Sequence, residues 1–141
     1  MTIFNKLQAR AIAVLDADPW IRDSISFLLQ GAVSRLRTFD NVGDGLRAVE
    51  TERFDVIICD YGMSGMDGIA FLIEAGRRQP DAYLILIAGY PVRQIADIAA
   101  REGIHECLQK PFTIEDFEKT LRGFFDRARP EAEQPESGTA E

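Results

Sequence analysis

The sequence predicts an α/β fold: one doubly wound domain in which helices cover both faces of a parallel β-sheet. Continuous apolar runs, typical of strands buried on both sides, recur along the chain. Segments with helical spacing of apolar residues lie between them, so that strand and helix alternate five times within about 125 residues. The length of 141 residues suits one domain of ordinary size. Successive parallel strands are expected to be joined by right-handed crossovers.

Five segments are predicted to be strands. Three are continuous apolar runs, one is a weaker apolar run, and one alternates between apolar and polar residues as a half-exposed edge strand does. In chain order they cover 11–16, 33–39 (the alternating segment), 54–60, 83–89 and 104–109 (the weaker run). Because functional sites of such folds lie beyond the carboxyl ends of the strands, polar residues at those ends are the first candidates.

Five helices are predicted to follow the strands. The first begins at Pro19, since proline suits the first helical position and Asp18 can serve as the N-cap. The last begins at Thr113, where Asp116 replaces the usual glutamate of a capping box. The helical ranges are 19–31, 45–53, 67–78, 91–102 and a segment from 113 onward whose apolar face carries Ile114, Phe117, Leu121 and Phe124.

The charge distribution argues against a nucleic-acid partner. The net charge is −7, and residues 130–141 contain four glutamates and no basic residue. The remainder therefore carries about −3, which offers no basic face for phosphate backbones or anionic membranes. The longest apolar run, 83–92, is too short for a membrane span.

Composition also indicates the organisation and the compartment. We expect an N-terminal extension (1–10), one domain (11–128) and an acidic tail (129–141) that is disordered by composition. The N-terminal residues lack the apolar stretch of a signal peptide. Cys59 and Cys107 form no CxxC motif and would lie two strand spacings apart, about 9–10 Å, which is too far for a disulfide. A cytoplasmic protein with free thiols is the simplest interpretation.

Charged residues converge on one edge of the predicted sheet. Asp16 and Asp18 lie at the end of the first strand, Asp60 at the end of the third, and Lys110 at the end of the fifth. Carboxylates brought together repel one another and need a cation, which a lysine or a divalent metal supplies. An all-oxygen site with few carboxylates suits Mg²⁺. A carboxylate beside a metal and a lysine is also suited to accept a phosphoryl group.

Four sequence segments resemble those of response-regulator receiver domains. The segment CDYGMSGMDG (59–68) is similar to their phosphoacceptor loop, and LQKPF (108–112) to their lysine–proline corner. The segment VLDADPWIRDSI (14–25) matches the acidic first loop, and LIAGYP (86–91) the end of the fourth strand. The resemblance covers about residues 10–127. It implies a flavodoxin-like (βα)5 fold with the strand order 2-1-3-4-5.

The resemblance implies a phosphorelay role rather than an enzyme, although receivers can assist their own phosphorylation and dephosphorylation. Asp60 would accept a phosphoryl group from a sensor histidine kinase or a phosphotransfer protein. Asp16, Asp18, Asp60 and the carbonyl of Gly62 would hold Mg²⁺, and Lys110 would pair with Asp60 and then with a phosphoryl oxygen. The output partner would be another protein, and a homodimer is compatible with the family.

Three residues depart from the pattern of the family. Ala17 stands where the second acid, a direct metal ligand, is usual, so metal affinity is expected to fall. Ala88 replaces the hydroxyl residue that binds the phosphoryl group, while Gly89 after it leaves the acceptor open to approach. Cys107 replaces the usual aromatic switch. Because hydroxyl and aromatic side chains together transmit phosphorylation in this family, the chain resembles an atypical receiver.

Two versions of a receiver remain open, both acting through protein contacts. Met1, the acidic tail and the lack of an output domain after Arg129 suggest a complete, stand-alone protein. In the first version Asp60 is phosphorylated, which the retained Asp60, Lys110 and Gly89 favour. In the second the domain is a phosphorylation-independent docking module, which the replacements at Ala88 and Cys107 favour.

A phosphatase is a third interpretation. A strand ending in DxD also resembles the first motif of haloacid-dehalogenase-type phosphatases, with Asp16 as nucleophile and Asp18 as acid/base. The absence of a hydroxyl at Ala88 and of a late DD motif argues against it.

Overall fold

Five parallel strands form one sheet in the order β2-β1-β3-β4-β5, which confirms the predicted architecture. The structure is a computed structural model, and it describes residues 3–89 and 92–128. The strands are β1 (Ala11–Leu15), β2 (Arg35–Phe39), β3 (Val56–Asp60), β4 (Tyr83–Ala88) and β5 (Glu106–Gln109). The helices are α1 (Pro19–Leu29), α2 (Val42–Thr51), α3 (Gly68–Arg78), α4 (Val92–Arg101) and α5 (Ile114–Ala128).

The sheet separates two apolar clusters. Alternate residues of each strand point to opposite faces, so that Ala13 and Leu15 of β1 join one cluster and Ile12 and Val14 join the other. The first cluster contains apolar residues of α2, α3 and α4, and the second contains those of α1 and α5. Helices therefore cover both faces, which explains why the strands are nearly continuously apolar.

The helix caps follow the predicted chemistry, with one shift. Asp18 caps α1, with Pro19 at the first helical position. Thr113 and Asp116 form a reciprocal capping box at α5, in which the hydroxyl and the carboxylate each accept a backbone N–H at 3.0 Å. Helix α2 begins three residues before the predicted residue 45, because Asn41 accepts a hydrogen bond from the backbone N–H of Asp44 and caps it there.

One residue predicted on the apolar face of α5 lies elsewhere. Phe117, Leu121 and Phe124 are buried, but Ile114 is 56% exposed. Ile114 is the first residue of the helix, and it lines a surface groove that also contains Trp20. The helical period was correct, but the buried stripe begins one turn later.

The N-terminal extension contributes to the core. Residues Ile3–Leu7 form a turn of 3-10 helix, and the Leu7 side chain is fully buried within the cluster formed with α5. The guanidinium of Arg10 lies over the ring of Phe124, 5.2 Å from its centroid. The predicted tail, 129–141, lies outside the described residues.

Candidate functional site

Three charged side chains meet at the carboxyl edge of the sheet. Lys110, which follows β5, places its Nζ 2.9 Å from Oδ1 of Asp60 at the end of β3. The same Nζ lies 3.1 Å from Oδ2 of Asp16, which follows β1. The ammonium therefore bridges two carboxylates from different strands. The sequence predicted that Asp18 would converge here as well; the structure brings Asp16, Asp60 and Lys110 together but not Asp18.

Asp16 is the most buried member of this group, with 1% of its surface exposed. Its Oδ1 accepts a hydrogen bond from the backbone N–H of Asp18 at 2.9 Å, and its main-chain oxygen accepts one from Nη1 of Arg22 at 2.6 Å. Oδ2 has no directed hydrogen bond, and its close partner is the ammonium of Lys110.

Burial determines the ionisation behaviour of Asp16. Desolvation raises the pKa of its carboxyl and outweighs the opposing effects of the Asp18 N–H and Lys110, while the charge of Asp60 adds to the rise. The buried position therefore disfavours the charged form of Asp16, although the Asp18 N–H and Lys110 partly offset this effect.

Both carboxylate oxygens of Asp60 have partners, and the residue as a whole is 9% exposed. Oδ1 contacts Lys110, and Oδ2 accepts a hydrogen bond from the backbone N–H of Gly62 at 3.1 Å. Gly68, the first residue of α3, lets this helix pack directly against the backbone of Asp60. A Cβ at Gly68 would lie 2.3 Å from the carbonyl oxygen of Asp60, so the close approach requires glycine.

Lys110 is anchored through its own backbone. Its N–H donates to the carbonyl oxygen of Ala88 at 2.8 Å, and its peptide bond to Pro111 is cis. Burial by itself lowers the pKa of Lys110, but the contacts with Asp60 and Asp16 outweigh it and raise the pKa. The ammonium form is therefore favoured between the two carboxylates.

Asp18 has a different role in the described structure. Its Oδ1 accepts a hydrogen bond from the backbone N–H of Trp20 at 2.9 Å, and the residue is exposed. Its carboxylate therefore caps α1, whereas Lys110 bridges Asp16 and Asp60. Within residues 3–89 and 92–128, no three His, Cys, Asp or Glu side chains are grouped so that they could hold a metal ion.

The donor atoms at this edge nevertheless suit a hard cation with few protein ligands. Two carboxylates face a single ammonium, and Oδ2 of Asp16 is a buried oxygen without a directed hydrogen bond. Mg²⁺ is commonly held by one or two carboxylates while it keeps several waters. The residues present therefore fit Mg²⁺, with fewer protein ligands than the sequence prediction counted.

The residues that the sequence analysis interprets as departures from the family pattern lie after β1, at the end of β4 and within β5. Ala17 is exposed beside Asp16 and offers no ligand atom. Ala88 is fully buried at the end of β4 and offers no hydroxyl. Apart from its chain neighbours, a Cβ added at Gly89 would meet no atom of residues 3–89 and 92–128 within 4 Å. Cys107 is half-buried on β5, and both it and Cys59 are free thiols.

Sequence reasoning missed an apolar groove next to this edge. Trp20 and Phe27 of α1 are 80% and 81% exposed, and Ile114 of α5 lines the same groove. Trp20 and Phe27 are seven residues apart, which places them on one face of a helix, so their spacing could have indicated the groove. No feature of the sequence indicated the contact of Arg22 with Asp16.

No described helix is long and apolar enough to cross a membrane.

Comparisons with known proteins agree with this geometry. Residues 12–122 match the family model described as response regulator receiver domain. The chain is 32% identical over 110 residues to the DNA-binding transcriptional regulator NtrC of Escherichia coli (strain K12), covering 78% of this chain but only 24% of that protein. It therefore spans about a quarter of the length of this relative.

Two further similarities extend over nearly the whole length of the other protein. A protein of Rhizobium etli named "Probable chemotaxis protein CheY" is 30% identical over 125 residues, covering 83% of this chain and 95% of that protein. The crystal structure of a response regulator receiver domain protein from Clostridium thermocellum is 29% identical, with a TM-score of 0.75. It covers 84% of this chain and 95% of the other.

Proposed function

Because this chain belongs to the response regulator receiver domain family of two-component signalling, we propose that it accepts a phosphoryl group on Asp60 and signals through protein contacts. The observation that carries this proposal is the bridging ammonium of Lys110 beside Asp60 and Asp16. Receiver domains are signalling modules, and we propose no separate enzymatic activity.

The proposed transfer begins with a phosphohistidine of a sensor histidine kinase or a phosphotransfer protein. An oxygen of Asp60 attacks the phosphorus, the P–N bond breaks, and the imidazole leaves with its electron pair. The product is an acyl phosphate on Asp60. The ammonium of Lys110 then turns from the carboxylate toward a phosphoryl oxygen, and the open space beside Gly89 accommodates the group.

Asp16, Asp60 and the carbonyl of Gly62 would hold Mg²⁺, with Asp18 as an additional ligand if its carboxylate leaves the helix cap. The metal supplies positive charge that stabilises phosphoryl oxygens. Ala17 removes one carboxylate from this set, so we propose that metal binding is weak.

The groove of Trp20, Phe27 and Ile114 supports a protein partner near Asp60. Large apolar side chains that remain exposed on one face are typical of interaction sites. We place this activity in the cytoplasm, which the free thiols support.

The test is acyl-phosphate formation with acetyl phosphate and Mg²⁺, followed by intact mass. We expect a gain of one phosphoryl group in the wild type and none in Asp60→Asn. Asp16→Asn should still be labelled, since Asp16 is not the acceptor. Loss of labelling in Asp16→Asn with labelling retained in Asp60→Asn would instead favour the phosphatase interpretation.

A wild type without any label would favour the phosphorylation-independent docking module. The replacement of the switch residues by Ala88 and Cys107 is the observation behind that second candidate.

A further inference from the structure

Arg22 occupies an unusual place for a cation. It is the fourth residue of α1, and the positive end of a helix dipole disfavours basic side chains in the first turn. Its side chain is directed back across the start of the helix, where Nη1 donates to the main-chain oxygen of Asp16 at 2.6 Å. This contact joins the helix to the residue that follows β1.

With this contact, the backbone N–H, the main-chain oxygen and Oδ1 of Asp16 each have a hydrogen-bond partner. The N–H of Asp16 donates to the carbonyl oxygen of Phe39 on β2 at 3.1 Å, and Oδ1 accepts from the N–H of Asp18 at 2.9 Å. With the main-chain oxygen bound to Arg22, only Oδ2 is left without a directed hydrogen bond. That atom faces the ammonium of Lys110 at 3.1 Å.

No other described side chain donates to the main-chain oxygen of Asp16. Ala17 contributes only a methyl group, and the carboxylate of Asp18 is bound to the N–H of Trp20. Arg22 is therefore the one side chain among the described residues that ties the main-chain oxygen of Asp16 to α1.

We propose that Arg22 is a positioning residue for the acceptor site. Its hydrogen bond to the main-chain oxygen of Asp16 keeps Oδ2 of Asp16 directed at the ammonium of Lys110, which also contacts Asp60. The inference deepens the proposed function and rests on it for its kinetic consequence. Arg22 contacts neither the phosphoryl group nor Lys110 in this assignment, and it acts through Asp16.

The test compares Arg22→Ala and Arg22→Lys with Arg101→Ala. The control removes the same charge from the exposed last residue of α4. Carbon-13 NMR follows the carboxyl resonance of Asp16, and nitrogen-15 NMR follows Nζ of Lys110. The initial rate of labelling by acetyl phosphate is measured in parallel, and chemical denaturation checks that each variant is folded.

We expect Arg22→Ala to shift the resonances of Asp16 and Lys110 and to slow labelling about tenfold. Losses of this size are typical when a residue that orients a site side chain through a hydrogen bond is removed. Arg22→Lys should recover part of the loss, because lysine can still donate one hydrogen bond. Arg101→Ala should match the wild type. In an Asp16→Asn background, Arg22→Ala should change the labelling rate by less than about twofold, because the carboxylate through which Arg22 acts is then absent.

Unchanged resonances of Asp16 and Lys110 in a folded Arg22→Ala variant would overturn the inference. An equal loss of rate in the Asp16→Asn background would overturn it as well, because Arg22 would then act by another route. If the wild type is not labelled at all, the proposed function fails, but the NMR comparison still decides whether Arg22 positions Asp16.

Discussion

Asp16 carries a charge in one of the most buried positions of the molecule. Its raised pKa means that burial disfavours the carboxylate more than Lys110 and the Asp18 N–H favour it. Buried ion pairs commonly cost more in desolvation than they return. The site therefore holds Asp16 at the expense of stability, which is common where function dictates the residue.

This balance predicts the effect of Asp16→Asn on stability. Because the folded pKa lies above the unfolded value of 3.8, ionised Asp16 disfavours folding at pH 7 and protonated Asp16 does not. We expect the variant to be more stable than the wild type at pH 7, because it removes a buried charge while Lys110 keeps the carboxylate of Asp60 as its partner. The difference should shrink as pH falls through the folded pKa and vanish below the unfolded one.

Urea denaturation at pH 7 and pH 3.5 measures this difference. Asp18→Asn is the matched control, since asparagine also caps helices and Asp18 is exposed. Asp16→Asn that is less stable than the wild type at pH 7 would show that the pair with Lys110 outweighs burial.

At the scale of elements, His105 joins the edge strand β5 to β4. The backbone N–H of His105 donates to the carbonyl oxygen of Leu84 at 3.0 Å. The ring Nδ1 of His105 accepts a hydrogen bond from the backbone N–H of Leu84 at 2.9 Å. Its ring stacks on Tyr83 with centroids 4.6 Å apart. The side chain therefore takes the place of a backbone acceptor just before β5, and only a neutral imidazole can do so.

The acid sensitivity of this junction follows from the pKa of His105. Burial lowers the pKa of His105, and the positive charge of Arg127 lowers it further. The nearby carboxylate of Glu106 accepts a hydrogen bond from the hydroxyl of Tyr83. Since the folded pKa lies below the unfolded value of 6.5, stability is complete above pH 6.5 and falls as pH drops through the folded pKa. His105→Asn, which keeps an acceptor without titrating, should lose less stability over this range.

Thermal or urea unfolding between pH 7.5 and 5 measures the effect. We expect the wild type to lose more stability than His105→Asn, but by less than about 1 kcal/mol, because His105 is exposed and solvent weakens the effect. Parallel pH profiles for the two proteins would contradict the role of His105, because all other titrating groups are shared.

At the scale of the whole molecule, the acceptor edge continues into the groove of Trp20, Phe27 and Ile114. The groove is formed by α1 and the start of α5, which meet only in the folded domain. One acidic residue, Asp23, lines it. A protein donor that reaches Asp60 from this side would therefore cover apolar surface, and we expect its contact surface to carry apolar and basic residues.

Replacing both Trp20 and Phe27 by alanine tests this use of the groove. We expect transfer from a protein phosphodonor to weaken at least tenfold in apparent affinity, because truncating an apolar anchor costs more than about 1 kcal/mol of binding. Labelling by acetyl phosphate should not change. Stability should stay within about 0.5 kcal/mol, since both side chains are exposed.

Ile98→Ala is the control, as Ile98 is a large exposed apolar residue on α4. An equal loss of transfer in this control, or a loss of labelling by acetyl phosphate in the double variant, would show that the groove is not a specific docking surface.

The amino-acid sequence was sufficient to predict the order of strands and helices, because buried parallel strands and amphipathic helices leave different apolar periods in the chain. It also predicted that Asp16, Asp60 and Lys110 converge, because parallel strands bring their carboxyl ends to one edge. The start of α2 was misplaced, since the cap formed by Asn41 depends on one hydrogen bond. The packing of Leu7 into the core was missed because its segment contacts α5, which begins more than a hundred residues later.

Tertiary structure alone decided which atoms of the site are paired. The sequence placed Asp16 and Asp18 side by side, but folding buried the first beside Lys110 and exposed the second at a helix cap. The contact of Arg22 with Asp16 likewise depends on how α1 leaves the sheet. Periodicity reports which face of an element is apolar, whereas hydrogen bonds and desolvation depend on distances between elements, which only the packed fold determines.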